Sequence, residues 1–203
     1  MSYRLPPPPV MVDPSVKCCD AGLTPGQLKA IRELGDGLLA ERPIAARVGF
    51  NEASRVDPAK RHAVVQWLPF PTATNGTAWI YEMCADVIQQ ANGLHWRYDV
   101  TDFYDQLHYV CYAAPSDHFT WHRDSGDDWR RPQRKLAFSL LLSDPSEYEG
   151  GAFQVNDGAE HTVAATEAGT FIIFPASMLH RVLPVTRGAR RALIGWAAGP
   201  PLR

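Results

Sequence analysis

Two histidines and one carboxylate are the residues of this chain best suited to hold a metal. The segment His122-Arg123-Asp124 places a histidine and an aspartate one residue apart. Successive residues of a strand point to opposite faces, so if residues 119–123 end a strand, both side chains lie on the same side. A pair of this kind is half of a metal site, although such pairs also arise by chance.

His180 is the candidate for the third ligand. It follows an apolar strand pattern at residues 171–174 and a turn at residues 175–178, a placement that allows it to meet His122 across a barrel. Two imidazoles and one carboxylate, with open positions opposite, are the ligand set of non-haem Fe(II) oxygenases. The other histidines lack such a context and are interpreted as hydrogen-bonded or surface side chains, namely His62, His95, His108, His118 and His161.

Arg190 lies ten residues after His180 and adds a second function to the predicted site. On a strand it shares a face with Ala192, Ile194 and Trp196, which are apolar and therefore expected to point inward. An inward guanidinium needs an anion, and its fork matches a carboxylate. Each such charged hydrogen bond contributes roughly 1.5–3 kcal/mol. A dicarboxylate that chelates iron at one end would meet this need, and a salt bridge within the protein is the alternative.

Two helices precede the strands that carry these residues. Thr24 and Pro25 begin the first helix, which should end near residues 41–42, before Pro43. Thr77 is expected to cap a second helix over residues 78–92, which Gly93 would end. Their apolar stripes predict that they brace a sheet.

The second half of the chain alternates short strand patterns with turn clusters, which is typical of a sandwich or barrel. Asn156-Asp157-Gly158 is a hairpin turn signal between two of the strands. The predicted strands are residues 46–50, 61–68, 96–100, 106–112, 119–123, 135–143, 152–155, 161–164, 170–174, 181–185 and 191–198. We therefore predict an α+β, mainly β fold: one domain over residues 1–203, with an N-terminal extension and support helices at 1–100 and a jelly-roll (double-stranded β-helix) core at 101–198.

Charge and composition limit the possible partners. The formal net charge of −2 gives no basic surface for nucleic acid, and no apolar stretch is long enough to span a membrane. The proline-rich residues 1–14 do not read as a signal peptide. The four cysteines, Cys18, Cys19, Cys84 and Cys111, lack the spacing of a zinc site or disulfide framework. These features favour a cytoplasmic protein with free thiols.

The pattern as a whole resembles the 2-oxoglutarate- and Fe(II)-dependent dioxygenase superfamily, and most closely its prolyl-4-hydroxylase-type branch. The resemblance covers about residues 106–198. The residues that carry it are Tyr112, ten residues before His122-Arg-Asp124, then Glu149-Gly-Gly-Ala-Phe153, His180, Arg190 and Trp196. The resemblance implies that His122, Asp124 and His180 bind Fe(II). It also implies that Arg190 binds the distal carboxylate of 2-oxoglutarate, and that Tyr112, unless Tyr109 takes its place, hydrogen-bonds this co-substrate.

The implied activity is hydroxylation of an unactivated C–H bond with O2, releasing succinate and CO2, and with ascorbate as a candidate cofactor. Related halogenases lack the carboxylate ligand, so Asp124 favours hydroxylation. No catalytic group beyond the metal centre is expected. The expected substrate is an amino acid, a peptidyl (for example prolyl) residue or a related small metabolite. Desaturation and epimerisation stay open, as does the oligomeric state.

The mouth of the site and two rival functions complete the sequence-based expectations. Residues 125–134, which include Trp129, could form a lid, and Trp67, Trp121 and Arg123 are further candidates for the mouth.

One rival function is that of a cupin-like module that binds a metal or ligand without turnover. The other is a structural sandwich whose histidines have no common role.

Overall fold

The computed structural model describes residues 15–49, 54–125, 133–164 and 167–200. Its helices are α1 (Pro25–Glu41) and α2 (Ala78–His95). Its strands are β1 (Lys17–Asp20), β2 (Ile44–Ala45), β3 (Arg61–His62), β4 (Val64–Trp67), β5 (His108–Ala113), β6 (His118–His122), β7 (Gln133–Leu141), β8 (Tyr148–Gly150), β9 (Phe153–Asn156), β10 (Glu160–Thr162), β11 (Thr170–Pro175), β12 (Leu179–Val182) and β13 (Val185–Gly199). A short 3-10 turn spans Pro145–Glu147.

Helix α1 begins where its sequence predicts. The Thr24 hydroxyl accepts a hydrogen bond from the backbone N–H of Gln27 at 3.3 Å, and the Gln27 side-chain oxygen accepts from the N–H of Thr24 at 3.0 Å. This reciprocal capping box satisfies two backbone donors that the first turn would otherwise leave free. Pro25 occupies the first turn, and the helix ends at Glu41.

Helix α2 differs from its prediction at both ends. The Thr77 side chain makes no cap; its hydroxyl donates instead to the carbonyl oxygen of Pro69 at 3.1 Å. Gly93 does not end the helix, which continues to His95. The backbone just after the helix is fixed by Asn92. Its amide side chain hydrogen-bonds both the N–H and the carbonyl oxygen of Tyr98, at 2.9 and 2.8 Å.

Several predicted strands are also corrected. Residues 96–100 form no strand, because the backbone of Tyr98 is bonded to Asn92 and the buried side chain of Trp96 packs into the core. In place of a strand at 46–50, β2 lies earlier, with one isolated bridge between Val48 and Arg55. The segment 61–68 is divided into β3 and β4, β12 begins before residue 181, and β13 is longer than expected. The predicted hairpin over residues 156–158 is confirmed by the pairing of β9 with β10.

The strands form two antiparallel sheets, as a jelly roll requires. The larger has the order β1-β11-β7-β13-β5-β4-β2, with β8 also paired to β13. The smaller has the order β10-β9-β12-β6-β3. One apolar core lies between the two sheets, and a second lies between the larger sheet and the helices. Tyr109 and Tyr112, on opposite faces of β5, each belong to one of these cores.

Polar contacts hold α1 against the larger sheet. Asp36 accepts hydrogen bonds from the Tyr109 hydroxyl at 2.8 Å and from Nε of Arg191 at 2.9 Å. Arg32 binds both carboxylate oxygens of Glu147 at 2.7 Å. These contacts explain why Arg191 faces the helices rather than the space between the sheets. Among the described residues, no helix has the length and apolar character needed to cross a membrane.

Candidate metal centre

The structure brings His122, Asp124 and His180 together at one end of the smaller sheet. His122 ends β6, Asp124 lies two residues later, and His180 lies in β12, where it is the register partner of His122. Nε2 of His180 lies 3.4 Å from Oδ2 of Asp124, and Nε2 of His122 lies 3.9 Å from Oδ1. One ligand atom of each residue lies within 4.8 Å of the other two. This is the cluster that the spacing predicts.

Backbone carbonyl groups orient both imidazole rings. Nδ1 of His122 lies 2.8 Å from the carbonyl oxygen of Thr120, and Nδ1 of His180 lies 3.0 Å from that of Met178. A carbonyl oxygen only accepts, so each Nδ1 carries the proton and each Nε2 keeps its lone pair. Hydrogen bonds of this kind are what hold metal-binding histidines in position.

The electrostatics of the cluster keep its groups in the forms that bind metals. Burial, followed by the neighbouring His180, lowers the pKa of His122 to about 3, so its ring is neutral near pH 7. Burial alone would raise the pKa of Asp124, but the two histidines and a hydrogen bond from the Trp196 side chain lower it below the usual value. Two imidazoles and one carboxylate therefore fit Fe(II), for which such donors are well suited.

Aromatic rings pack against both histidines of the cluster. The ring of Phe119 stacks on His122 with centroids 3.4 Å apart, and that of Phe174 lies 4.6 Å from His180. The register of β6 against β12 is irregular between these positions, which allows Phe119 and His122 to share one face. The open side of the cluster faces a cavity of about 490 Å³ between the two sheets.

Arg190 and Tyr112 lie in the wall of this cavity. Arg190 is 3% exposed, its register partner is Tyr112, and its guanidinium carbon lies 5.9 Å from the Tyr112 ring centroid. In the part of the chain that the structure describes, no carboxylate pairs with Arg190, so the alternative of an internal salt bridge is not observed. Tyr109 instead faces the helices. Arg187 does not line the cavity; it is exposed and pairs with Glu149.

The predicted Gly-Gly element lies against the strand that carries Arg190. Gly151 has a φ of +62°, and a Cβ added to it would lie 3.0 Å from Cδ of Arg190 and 3.0 Å from Val185. Gly150 has a φ of +76°, and a Cβ there would lie 2.3 Å from the carbonyl oxygen of Pro184. Glycine is therefore required at both positions for β8 to approach β13 this closely.

The three residues proposed for the mouth, Trp67, Trp121 and Arg123, all line the cavity. The predicted lid is only partly described. Residues 126–132, which include Asp127, Asp128 and Trp129, lie outside the described residues.

Sequence reasoning did not find His108, which it treated as a histidine without a role in the site. The structure places it in the cavity wall, with its ring edge-on to Trp196 at 4.9 Å and to Trp67 at 5.6 Å. Burial, then the positive charges of Arg61 and Arg134, lower its pKa to about 3. The available signal was its position four residues before Tyr112, on the same face of β5.

Asp105 was also missed, and Arg134 was included only as the last residue of the predicted lid. Arg134 lies with its guanidinium carbon 3.8 Å from the Trp196 ring centroid and pairs with Asp105 at 2.5 Å. A register irregularity where β7 pairs with β13 directs Arg134 into the cavity, against simple alternation. Such irregularities cannot be read from spacing.

Comparison with known proteins agrees with this geometry. Residues 107–198 match the family model of the 2OG-Fe(II) oxygenase superfamily. A PKHD-type hydroxylase of Parvibaculum lavamentivorans is 44% identical over 73 residues, which is 36% of this chain and 33% of the relative. A PKHD-type hydroxylase of Synechococcus elongatus is 29% identical over 125 residues, which is 59% of this chain and 56% of the relative. These matches thus span between a third and somewhat over half of the relatives' lengths.

Solved structures show the same fold. A prolyl-4-hydroxylase of Pseudomonas putida superposes with a TM-score of 0.69 at 23% identity, covering 92% of this chain and 93% of that one. A prolyl hydroxylase of Trichoplax adhaerens, solved with a hypoxia inducible factor peptide fragment, gives a TM-score of 0.73 at 14% identity, covering 91% and 84%. The jelly-roll prediction is therefore confirmed.

Proposed function

We propose that the protein, whose residues 107–198 match the family model of the 2OG-Fe(II) oxygenase superfamily, is an Fe(II)- and 2-oxoglutarate-dependent dioxygenase that hydroxylates an unactivated C–H bond. The observation that carries the proposal is the buried Arg190, which has no carboxylate partner among the described residues and shares its cavity with the His122–Asp124–His180 cluster. A metal-binding module without turnover would not explain why this buried guanidinium has no anionic partner among the described residues.

We assign the roles as follows. His122, Asp124 and His180 would hold Fe(II), and the hydrogen bonds from each Nδ1 to the carbonyl groups of Thr120 and Met178 leave each Nε2 available to bind it. Arg190 binds the distal carboxylate of 2-oxoglutarate. Tyr112, its register partner, hydrogen-bonds the co-substrate.

The bound iron and 2-oxoglutarate would supply the oxidation, in which O2 gives one oxygen atom to the substrate C–H bond and one to succinate, with release of CO2. The protein's part is positioning and the exclusion of water. Phe119 and Phe174, whose rings pack against His122 and His180, are apolar parts of the cavity wall beside both imidazoles. Asp124 supplies the carboxylate that related halogenases lack, which favours hydroxylation.

The substrate we propose is an amino acid, a peptidyl residue, with prolyl as the leading case, or a related small metabolite. The prolyl case is supported by the named activities of the P. putida and T. adhaerens structures. Ascorbate would serve as an auxiliary cofactor. The four cysteines, which are all free, support a reducing compartment such as the cytoplasm.

The assignment is tested by adding Fe(II) and 2-oxoglutarate to the full chain without oxygen. We expect a weak visible charge-transfer band. Asp124→Ala should lose the band together with bound iron. Arg190→Gln should keep the iron but raise the 2-oxoglutarate concentration needed for the band at least tenfold, since about 1.5–3 kcal/mol of charged hydrogen bonding is lost.

Arg187→Gln is the matched control, because Arg187 lies on the same strand but is exposed and pairs with Glu149. It should leave the band unchanged. Bound iron without any 2-oxoglutarate band in the wild type would instead support the cupin-like binding module.

A further inference from the structure

We infer that the substrate of this site carries a carboxylate group and that Arg61 binds it. The inference rests on the proposed function and concerns the substrate rather than the co-substrate. Arg61 lies in β3, at the edge of the smaller sheet, whereas Arg190 lies in β13 of the larger one. The two guanidinium groups therefore enter one cavity from different walls.

Arg61 has hydrogen-bonding capacity that the described residues do not use. Its Nε and Nη2 atoms are buried and have no hydrogen-bond partner there. Its Nη1 makes one long contact, 3.4 Å, with the carbonyl oxygen of Arg47. Nε and Nη2 form one edge of the guanidinium fork, which matches the two oxygens of a carboxylate. Buried donors left without a partner are costly, so this edge is suited to a bound anion.

The position of Arg61 is suited to a group close to the reacting centre. Its guanidinium carbon lies 4.5 Å from the centroid of the Phe119 ring, and that ring stacks directly on His122. Only one aromatic ring therefore separates Arg61 from a proposed metal ligand. A carboxylate held by Arg61 would place the adjoining carbon atoms of a small substrate beside the metal.

The charge of the whole cavity favours an anion. Among the described residues, six basic side chains and two carboxylates line it: Arg47, Lys60, Arg61, Arg123, Arg134 and Arg190, with Asp105 and Asp124. Asp105 pairs with Arg134, and Asp124 belongs to the metal cluster. With Arg190 assigned to 2-oxoglutarate, the described lining of the cavity keeps an excess of positive charge. Arg61 contributes to this excess, and its buried Nε and Nη2 have no hydrogen-bond partner in the part of the chain that the structure describes.

The test uses the full chain with Fe(II), 2-oxoglutarate and O2, and measures succinate release. Three matched probe sets are compared: N-acetyl amino acids, their carboxamides, and amidated peptides that contain Asp or Glu. We expect stimulation by at least one carboxylate compound and at least tenfold less by its uncharged counterpart. The first and third sets distinguish an α-carboxylate from a side-chain carboxylate as the group that Arg61 binds.

Arg61→Gln should raise KM for the best carboxylate compound at least tenfold, and Arg61→Lys should restore part of the loss. KM for 2-oxoglutarate should change less than twofold. Arg55→Gln is the control, because it removes a nearby positive charge that pairs with Asp57 and does not line the cavity. The anaerobic charge-transfer band shows that each variant is folded and loaded.

Three results would overturn the inference while the wild-type band is intact: carboxamides that work as well as carboxylates, an Arg61→Gln variant with an unchanged preference, or no response to any carboxylate compound. Loss of the wild-type band would instead contradict the proposed function. The two failures are therefore distinguishable.

Discussion

Gly151 connects backbone conformation to the proposed co-substrate site. Its positive φ of +62° is strained for any other residue, and an added methyl group would press on Cδ of Arg190 at 3.0 Å. Gly151→Ala should therefore displace the guanidinium and weaken 2-oxoglutarate binding roughly tenfold, the loss expected from one impaired charged hydrogen bond. Titration of the anaerobic band measures this.

Gly158→Ala is the matched comparison. Gly158 also has a positive φ, +124°, but nothing lies within 4 Å of an added Cβ. It should lower stability without changing the affinity for 2-oxoglutarate. Equal affinities in both variants would show that Gly151 does not position Arg190.

The sequence predicts which side chains share a face when they belong to the same strand. It does not predict side-chain directions that depend on how one strand pairs with another. His122 with Asp124, and Arg190 with Trp196, follow from alternation. Arg134 points into the cavity only because the β7–β13 register is irregular. Arg61 joins the site through strand β3, which pairs with β6 across more than fifty residues of chain, a relationship that spacing does not contain.

Helix α1 approaches the larger sheet at a glycine. A Cβ on Gly35 would lie 2.3–2.4 Å from ring atoms of Tyr109, whose side chain is fully buried. Gly35→Ala should therefore destabilise the protein by about 1–3 kcal/mol, the usual cost of an overpacked core. Gly37 lies in the same helix with nothing within 4 Å of an added Cβ.

Gly37→Ala should accordingly stabilise the protein by about 0.5–1 kcal/mol, because alanine has the higher helix propensity. Urea unfolding of both variants measures the two changes. The same sign for both would mean that α1 does not pack on Tyr109 as described.

The helices also show where local signals are sufficient. The start of α1 follows from two adjacent residues, Thr24 and Pro25, and Gln27 in the same turn completes the capping box. The end of α2 depends on the bonds that the Asn92 side chain makes to Tyr98, so Gly93 alone gave the wrong boundary. The missed strand β1 likewise exists through its partner β11, far along the chain.

For the molecule as a whole, buried neutral histidines should make stability depend on pH. The pKa of His108 is about 3 in the folded protein, below the ordinary 6.5. Between these values the unfolded chain binds a proton that the folded chain does not, so the free energy of unfolding falls as the pH decreases. Each such histidine contributes a slope of about 1.4 kcal/mol per pH unit in this window and nothing above it.

His108→Asn should therefore reduce the acid sensitivity of the metal-free protein between about pH 6.5 and 3 without abolishing it, because His122 has the same shift. Denaturant unfolding at several pH values in the presence of a chelator measures the slope. His161→Asn, which replaces an exposed histidine, is the comparison. An unchanged slope in His108→Asn would contradict the buried neutral state.

The pairing of β6 with β12 has a consequence for the cooperativity of the molecule. His122 and His180 face each other across this pair, so a metal ion would bridge two neighbouring strands that hydrogen bonds already join. Binding stabilises only the states in which both ligands are in place. Local opening that separates β6 from β12 would thus require loss of the metal and would become as rare as that loss. Fraying of α1, on the far side of the larger sheet, would not depend on the metal.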